Sequence, residues 1–165
     1  DADRHGFVLR EEDLLWLSRI AQAADRPLLV VSHVPISGHA QTGNYYFERN
    51  PGVSTYPMAE RARAALAQAR VPVVCLAGHV HWNTVTAVDG IAHLTQQSLT
   101  ESFTTQGEPA GAMGLIELGD TVEWRVLGRD PISFGFTPSA TRWTPPLPVF
   151  SEHPEIGARM RKVAS

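Results

Sequence analysis

Two short apolar runs, Pro27-Leu28-Leu29-Val30-Val31-Ser32 and Val71-Pro72-Val73-Val74-Cys75-Leu76-Ala77, each end at a histidine, and each follows a stretch with helical spacing of apolar residues. Leu14, Leu15, Leu17, Ile20 and Ala21 mark one stripe over Arg10 to Ala24; Met58, Ala62, Ala65, Leu66 and Ala69 mark another over about 58–70. Such spacing puts apolar side chains on one helix face. The chain therefore reads twice as helix, buried strand, histidine. Parallel strands need a crossover of a dozen or more residues, usually helical, and the second stripe lies between the two runs. If the runs are neighbouring parallel strands, their histidines emerge together at the carboxyl edge, where open α/β sheets place their ligands.

The second run delivers Gly78-His79-Val80-His81. In an extended chain, side chains two residues apart share a face, so His79 and His81 reach one small volume, and Gly78 leaves room for backbone to approach. With His33 from the first run, three imidazoles converge. Neutral imidazole is a common metal ligand, so this is a candidate metal site. The other reading is that these rings simply hydrogen-bond at strand ends. His39, in the loop after His33, is a candidate for supporting a ligand or moving a proton. Cys75, inside the buried run, reads as a small apolar filler rather than a thiolate.

The rest of the chain reads mainly as strands. Thr84 to Val88 and Ile91 to Thr95 flank Asp89-Gly90, a dipeptide that favours a type I′ turn. Met113 to Leu118 and Thr121 to Leu127 form a second hairpin around Gly119-Asp120. The expected fold class is α/β, a mixed β-sheet with flanking helices on one face. The loop from Pro35 to Pro57 carries Tyr45, Tyr46 and Arg49, the candidates for touching a substrate ring or phosphate. An alternative is that its aromatics only pin the loop down. Prolines and aromatics then punctuate the chain, so residues 1–128 read as the main unit and 129–165 as a Pro/aromatic-rich tail packed on it, an irregular strap ending in a short basic helix.

Composition narrows the function classes. A net charge of -3 gives no electrostatic reason to expect nucleic acid or an anionic membrane, and no run is long enough to be a membrane helix. A soluble, cytoplasmic location is the expectation. One cysteine excludes an intrachain disulfide and leaves the compartment open.

The segments Val31-Ser32-His33-Val34-Pro35 and Ala77-Gly78-His79-Val80-His81 resemble the last two of five sequence blocks of the calcineurin-like metallophosphoesterases, binuclear metal hydrolases of phosphate esters. The lead-in from Gly6 to Ile20 looks like the helix before the first of these blocks. The resemblance covers about residues 6–127 and implies that His33 and His79 bind one metal ion and His81 the other. It implies a metal-activated water attacking phosphate mono- or diesters, two divalent ions (Mn, Fe, Zn or Co) in the complete protein, and a phosphorylated small molecule as substrate. The complete family fold is an αββα sandwich, of which this chain reads as the C-terminal half.

The family's upstream blocks, which bring the bridging carboxylates, the amide ligand and the catalytic histidine, have no usable counterpart before His33. Asp3-Arg4-His5 has the letters of Asp-x-His without a preceding strand, while Gly43-Asn44 and Gly119-Asp120 read as turns. Three neutral imidazoles bring no negative charge to offset two metals. The chain alone is therefore expected to hold at most one ion and to have little phosphoesterase activity. A missing N-terminal half, or a homodimer partner, is expected to cover an exposed sheet face. Two other readings stay open: a degenerate metal-binding or scaffold module, and a mononuclear zinc hydrolase using the three histidines.

Overall fold

A computed structural model describes residues 2–3 and 6–143. The readings placed on His5 and on the basic end of the tail fall outside them. Strands β1 (Ala2–Asp3) and β2 (Gly6–Phe7) pair antiparallel, and helix α1 (Glu11–Ala23) follows. Glu11, Glu12 and Asp13 occupy its first turn, where negative charge complements the helix dipole. Then come β3 (Leu28–Ser32), α2 (Ala59–Leu66), β4 (Val73–Ala77), β5 (Thr84–Val88), β6 (Ile91–Thr95), β7 (Met113–Leu118), β8 (Val122–Leu127) and β9 (Ile132–Phe136).

The central sheet runs β3-β4-β6-β5. Its β3–β4 and β4–β6 pairs are parallel and β5–β6 is the expected hairpin, with Asp89 and Gly90 at φ of 56° and 77°. At Gly90 any side chain would also run into the carbonyl of Thr141, so glycine is required twice over. Helices α1 and α2 lie together on one face, where Leu14, Ala62 and Leu66 pack on Leu28, Val30, Val73, Cys75 and Ile91. The other face carries Leu29, Val74, Leu76 and Leu94 against Val122, Trp124 and Val126 of the second sheet, β7-β8-β9, which is antiparallel throughout. The result is three layers: helices, mixed sheet, antiparallel sheet. On the outer face of the second sheet Met113, Leu115 and Leu127 are exposed.

Three expectations change. In α1, Leu15 and Ile20 are exposed together with Trp16, and the inward arc is Leu14, Leu17 and Ala21. At 3.6 residues per turn Leu15 and Ile20 sit roughly 100° or more in helical wheel angle from Leu14. Helix α2 is shorter than 58–70. Met58 stands ahead of it with φ of 58° and an exposed side chain, and the chain turns at Ala67, well before Pro72, although Ala69 stays buried in that turn. Finally, the start of the 129–165 tail is not an irregular strap. Pro131 and Pro138 flank β9 rather than interrupt it, so Ile132 to Phe136 keep the amide hydrogens that pair with β8.

Candidate functional site

The carboxyl ends of β3 and β4 open onto a cleft of about 440 Å³. His33, His79 and His81 line it, along with Val31, Gln97 and Leu99. The parallel register that sets Ser32 beside Ala77 brings the following loops together, and the Gly78 amide donates to the His33 carbonyl at 3.1 Å. A side chain at Gly78 would meet that carbonyl only at 3.9 Å, so the close approach expected there does not demand glycine.

The way the two neighbouring histidines reach the cleft also differs from expectation. Strand β4 ends at Ala77, and His79 and His81 have φ of 66° and 51°. They share the cleft through a left-handed turn, not through strand alternation. Left-handed backbone costs a non-glycine residue on the order of 1–2 kcal/mol and persists only where the surroundings hold it. Here fully buried Val80 anchors the turn from between the two histidines, and its carbonyl accepts a 3.0 Å bond from the amide of buried Asn44. The Asn44 side-chain oxygen in turn accepts from the backbone of Tyr46 and Phe47 at 2.9 Å each, tying the 35–57 loop to the histidine turn. Gly43-Asn44 is thus a turn, as read from the sequence, but a turn that braces the site.

His33 and His79 form a close pair, with ring centroids 5.2 Å apart. Phe7 and Phe47 hold the His79 ring from other sides, at 4.8 and 5.2 Å. His79 Nε2 lies 2.7 Å from the Val53 carbonyl. A carbonyl only accepts, so Nε2 carries the proton and Nδ1 keeps the lone pair. Burial lowers the pKa of His79; the Val53 bond opposes this, and His33 and His81 add to it. His81 stands apart from that pair and faces a carboxylate instead: its Nδ1 is 3.1 Å from Glu101 Oε2.

Glu101 is 2% exposed. Burial works to raise its pKa, but bonds from Phe103, Tyr45 and Ser102 and the neighbouring His81 outweigh it and hold the group below the usual range. The Tyr45 hydroxyl donates to the same Oε2 at 3.0 Å, and its pKa is pushed up to about 12 by burial and by Glu101. The Tyr45 ring stacks on Phe103 at 4.7 Å, beside Trp82 at 6.3 Å.

The other sequence candidates are placed less centrally. Tyr46 is exposed with its ring against Phe47, Arg49 ends an exposed 3₁₀ turn, and neither they nor His39 line the cleft. His39 is instead among the groups facing buried His93. Cys75 is buried in the helix-side core, and burial pushes its thiol up to about 12, which suits an apolar filler. Gln96, Gln97 and Ser98, after β6, also line the cleft. Glu101 and Phe103 carry no local sequence signal, because their roles arise from a loop folding back onto the histidine turn.

These residues do not by themselves make a two-metal site. Among the described residues no group of three or more His, Cys, Asp or Glu side chains is arranged to hold a metal ion. Among the described residues the His33–His79 pair has no third metal-ligating side chain grouped with it, and Glu101 is already occupied by four donors. Also among the described residues, no helix is long and apolar enough to cross a membrane.

No family model matches the chain, and no curated protein matches it. Among solved structures it is similar to a dimetal phosphatase from Danio rerio, with a TM-score of 0.64 and 20% identity, over 81% of this chain and 40% of that one. It thus spans about two fifths of the length of that phosphatase. A Vps29 variant from Entamoeba histolytica aligns over 82% of this chain and 94% of its own at 13% identity, but with a TM-score of only 0.29, which carries no argument. What the chain shares with the phosphatase is the fold.

Proposed function

We propose that this chain supplies the histidine side of the active site of a metal-dependent phosphoester hydrolase, and that the missing donors come from polypeptide packed against the open edge of β3. The observation that carries this reading is the cleft at the carboxyl ends of β3 and β4, which three histidines line although the described residues complete no metal-ligand group there. The likeness in fold to a dimetal phosphatase agrees with it. Among the described residues the β3 edge has no paired neighbour on its outer side, and Val31, two residues before His33, is 69% exposed. An unpaired edge beside exposed apolar side chains is a template for another strand.

A second reading, a scaffold or metal-binding module without activity, draws on the lack of a three-ligand cluster among the described residues. Metal uptake separates the two. With Zn²⁺ or Mn²⁺ titrated into the purified chain, the active-site reading expects one ion per chain, lost in His33→Ala and in His79→Ala, and negligible hydrolysis of a generic phosphodiester. No uptake at millimolar metal overturns the reading in favour of the scaffold. Uptake unaffected by those substitutions puts the metal elsewhere and equally overturns it.

A further inference from the structure

We infer that Glu101 is the positioning residue of this site: a buried carboxylate that holds His81 with its proton on Nδ1 and leaves the Nε2 lone pair for the cleft. The inference rests on the reading that the cleft histidines are the working groups, and it specifies which nitrogen His81 can offer.

The hydrogens around Glu101 decide which nitrogen of His81 is protonated. A carboxylate is acceptor-only, with about four lone-pair sites. Glu101 Oε1 accepts from the backbone amides of Ser102 and Phe103 at 2.9 and 2.6 Å, and Oε2 accepts from the Tyr45 hydroxyl at 3.0 Å. Amide hydrogens cannot move to the other partner, so the fourth contact, His81 Nδ1 at 3.1 Å, must itself donate. A neutral imidazole has a single ring N–H, so His81 Nε2 is an acceptor. His79 is set the opposite way, since the Val53 carbonyl takes its Nε2 proton. Two histidines of one tight turn thus present different nitrogens, each fixed by a partner outside the turn.

The same carboxylate cannot itself take a proton from a bound water. It is 2% exposed and both of its oxygens are occupied, so it acts through His81. It also sets the neighbourhood: by gripping the Phe103 amide and the Tyr45 hydroxyl, it holds the Tyr45–Phe103 stack in fixed register with the imidazole.

Nitrogen NMR tests this on the whole chain without metal or substrate. With ¹⁵N-labelled histidine at alkaline pH, long-range proton–nitrogen correlations report which nitrogen is protonated and distinguish either tautomer from the doubly protonated ring. His81, assigned through loss of its signal in His81→Asn, is expected as the Nδ1–H tautomer, and His79 as the Nε2–H tautomer. In Glu101→Gln an amide NH₂ replaces one acceptor oxygen, so the four donors can no longer all be met, and the His81 signature should move toward Nε2–H. Tyr45→Phe removes only a donor and should leave it unchanged. Nε2–H at His81 in the unmodified chain overturns the inference, as does an unchanged signature in folded Glu101→Gln. If Glu101→Gln does not fold, the unmodified chain and Tyr45→Phe still decide. Because no metal is present, the tautomer result stands or falls separately from metal uptake.

Discussion

The central sheet has two faces of similar composition and unequal finish. Toward the helices, Val73 and Ile91 are sealed under α1 and α2. Toward the second sheet, Val74 and Leu94 are sealed beneath Trp124, but toward the β3 edge the cover stops, and Val31, Leu99 and Leu118 are 69%, 61% and 60% exposed. Valine and leucine line both faces, so the difference lies in the covering elements and not in the strands. A strand's apolar pattern records what it is built to be covered by. The histidine cleft opens on the side where the cover is incomplete, so under the proposed function incomplete packing and an incomplete ligand set would have the same cause.

The largest effect that would break this comparison comes from the second sheet. Trp124 is 0% exposed and is the largest side chain between the sheets. If the inter-sheet layer is a true core where it is closed, Trp124→Ala costs about 3–5 kcal/mol in urea unfolding, as much as the helix-side Leu66→Ala at about 2–5 kcal/mol. A loss below about 1 kcal/mol at Trp124 would mean that the second sheet is only loosely attached. Trp124→Phe should be much milder than truncation, because the indole N–H is buried without a hydrogen-bond partner among the described residues and its removal relieves a cost.

The finished face hides one acid-sensitive point. His93 is 3% exposed, its Nε2 has no hydrogen-bond partner among the described residues, and burial, with Arg63 and His39 adding to it and Asp89 opposing, lowers its pKa to about 4. Between about pH 6.5 and 4 the unfolded chain binds a proton at this residue that the folded chain does not, so stability rises with pH across that window. The contribution is fully present above about pH 6.5 and is lost as pH falls toward 4, for a total of about 3 kcal/mol. The difference between unfolding free energies of the unmodified chain and His93→Gln, followed from pH 7 to pH 4, should show this slope. Parallel curves would remove His93 as the cause and leave the helix face no more acid-sensitive than the rest.

Local pattern carried much of the fold. The period-two runs and Asp89-Gly90 placed the β5–β6 hairpin at its observed residues, and the helix–strand repetition gave the parallel β3–β4 pair. Strand β9 was obscured because its flanking prolines read as breakers, and its pairing with β8 is a tertiary fact. For the site, the sequence supplied the three histidines but not the way they meet, since no local rule announces left-handed backbone at His79 and His81. Glu101, Asn44 and the Val53 carbonyl act only once distant loops converge. Their positions depend on long-range closure, to which spacing is blind.

The smallest effect sharpens the comparison most. Val31→Thr and Val73→Thr make the same near-isosteric change on neighbouring strands of one sheet. Val73 is 1% exposed in the helix-side core, so a hydroxyl there is buried away from water and costs about 1–3 kcal/mol. Val31 faces the unfinished side, so the same hydroxyl stays hydrated and the cost falls within about 0.5 kcal/mol. Thermal unfolding of the two variants at low and high protein concentration checks both values. A Val31→Thr cost equal to that of Val73→Thr, and growing with concentration, would mean that a second copy of the chain covers the β3 edge. A cost near zero at every concentration leaves the edge open in the isolated chain, as required if the histidine cleft is completed by polypeptide other than these residues.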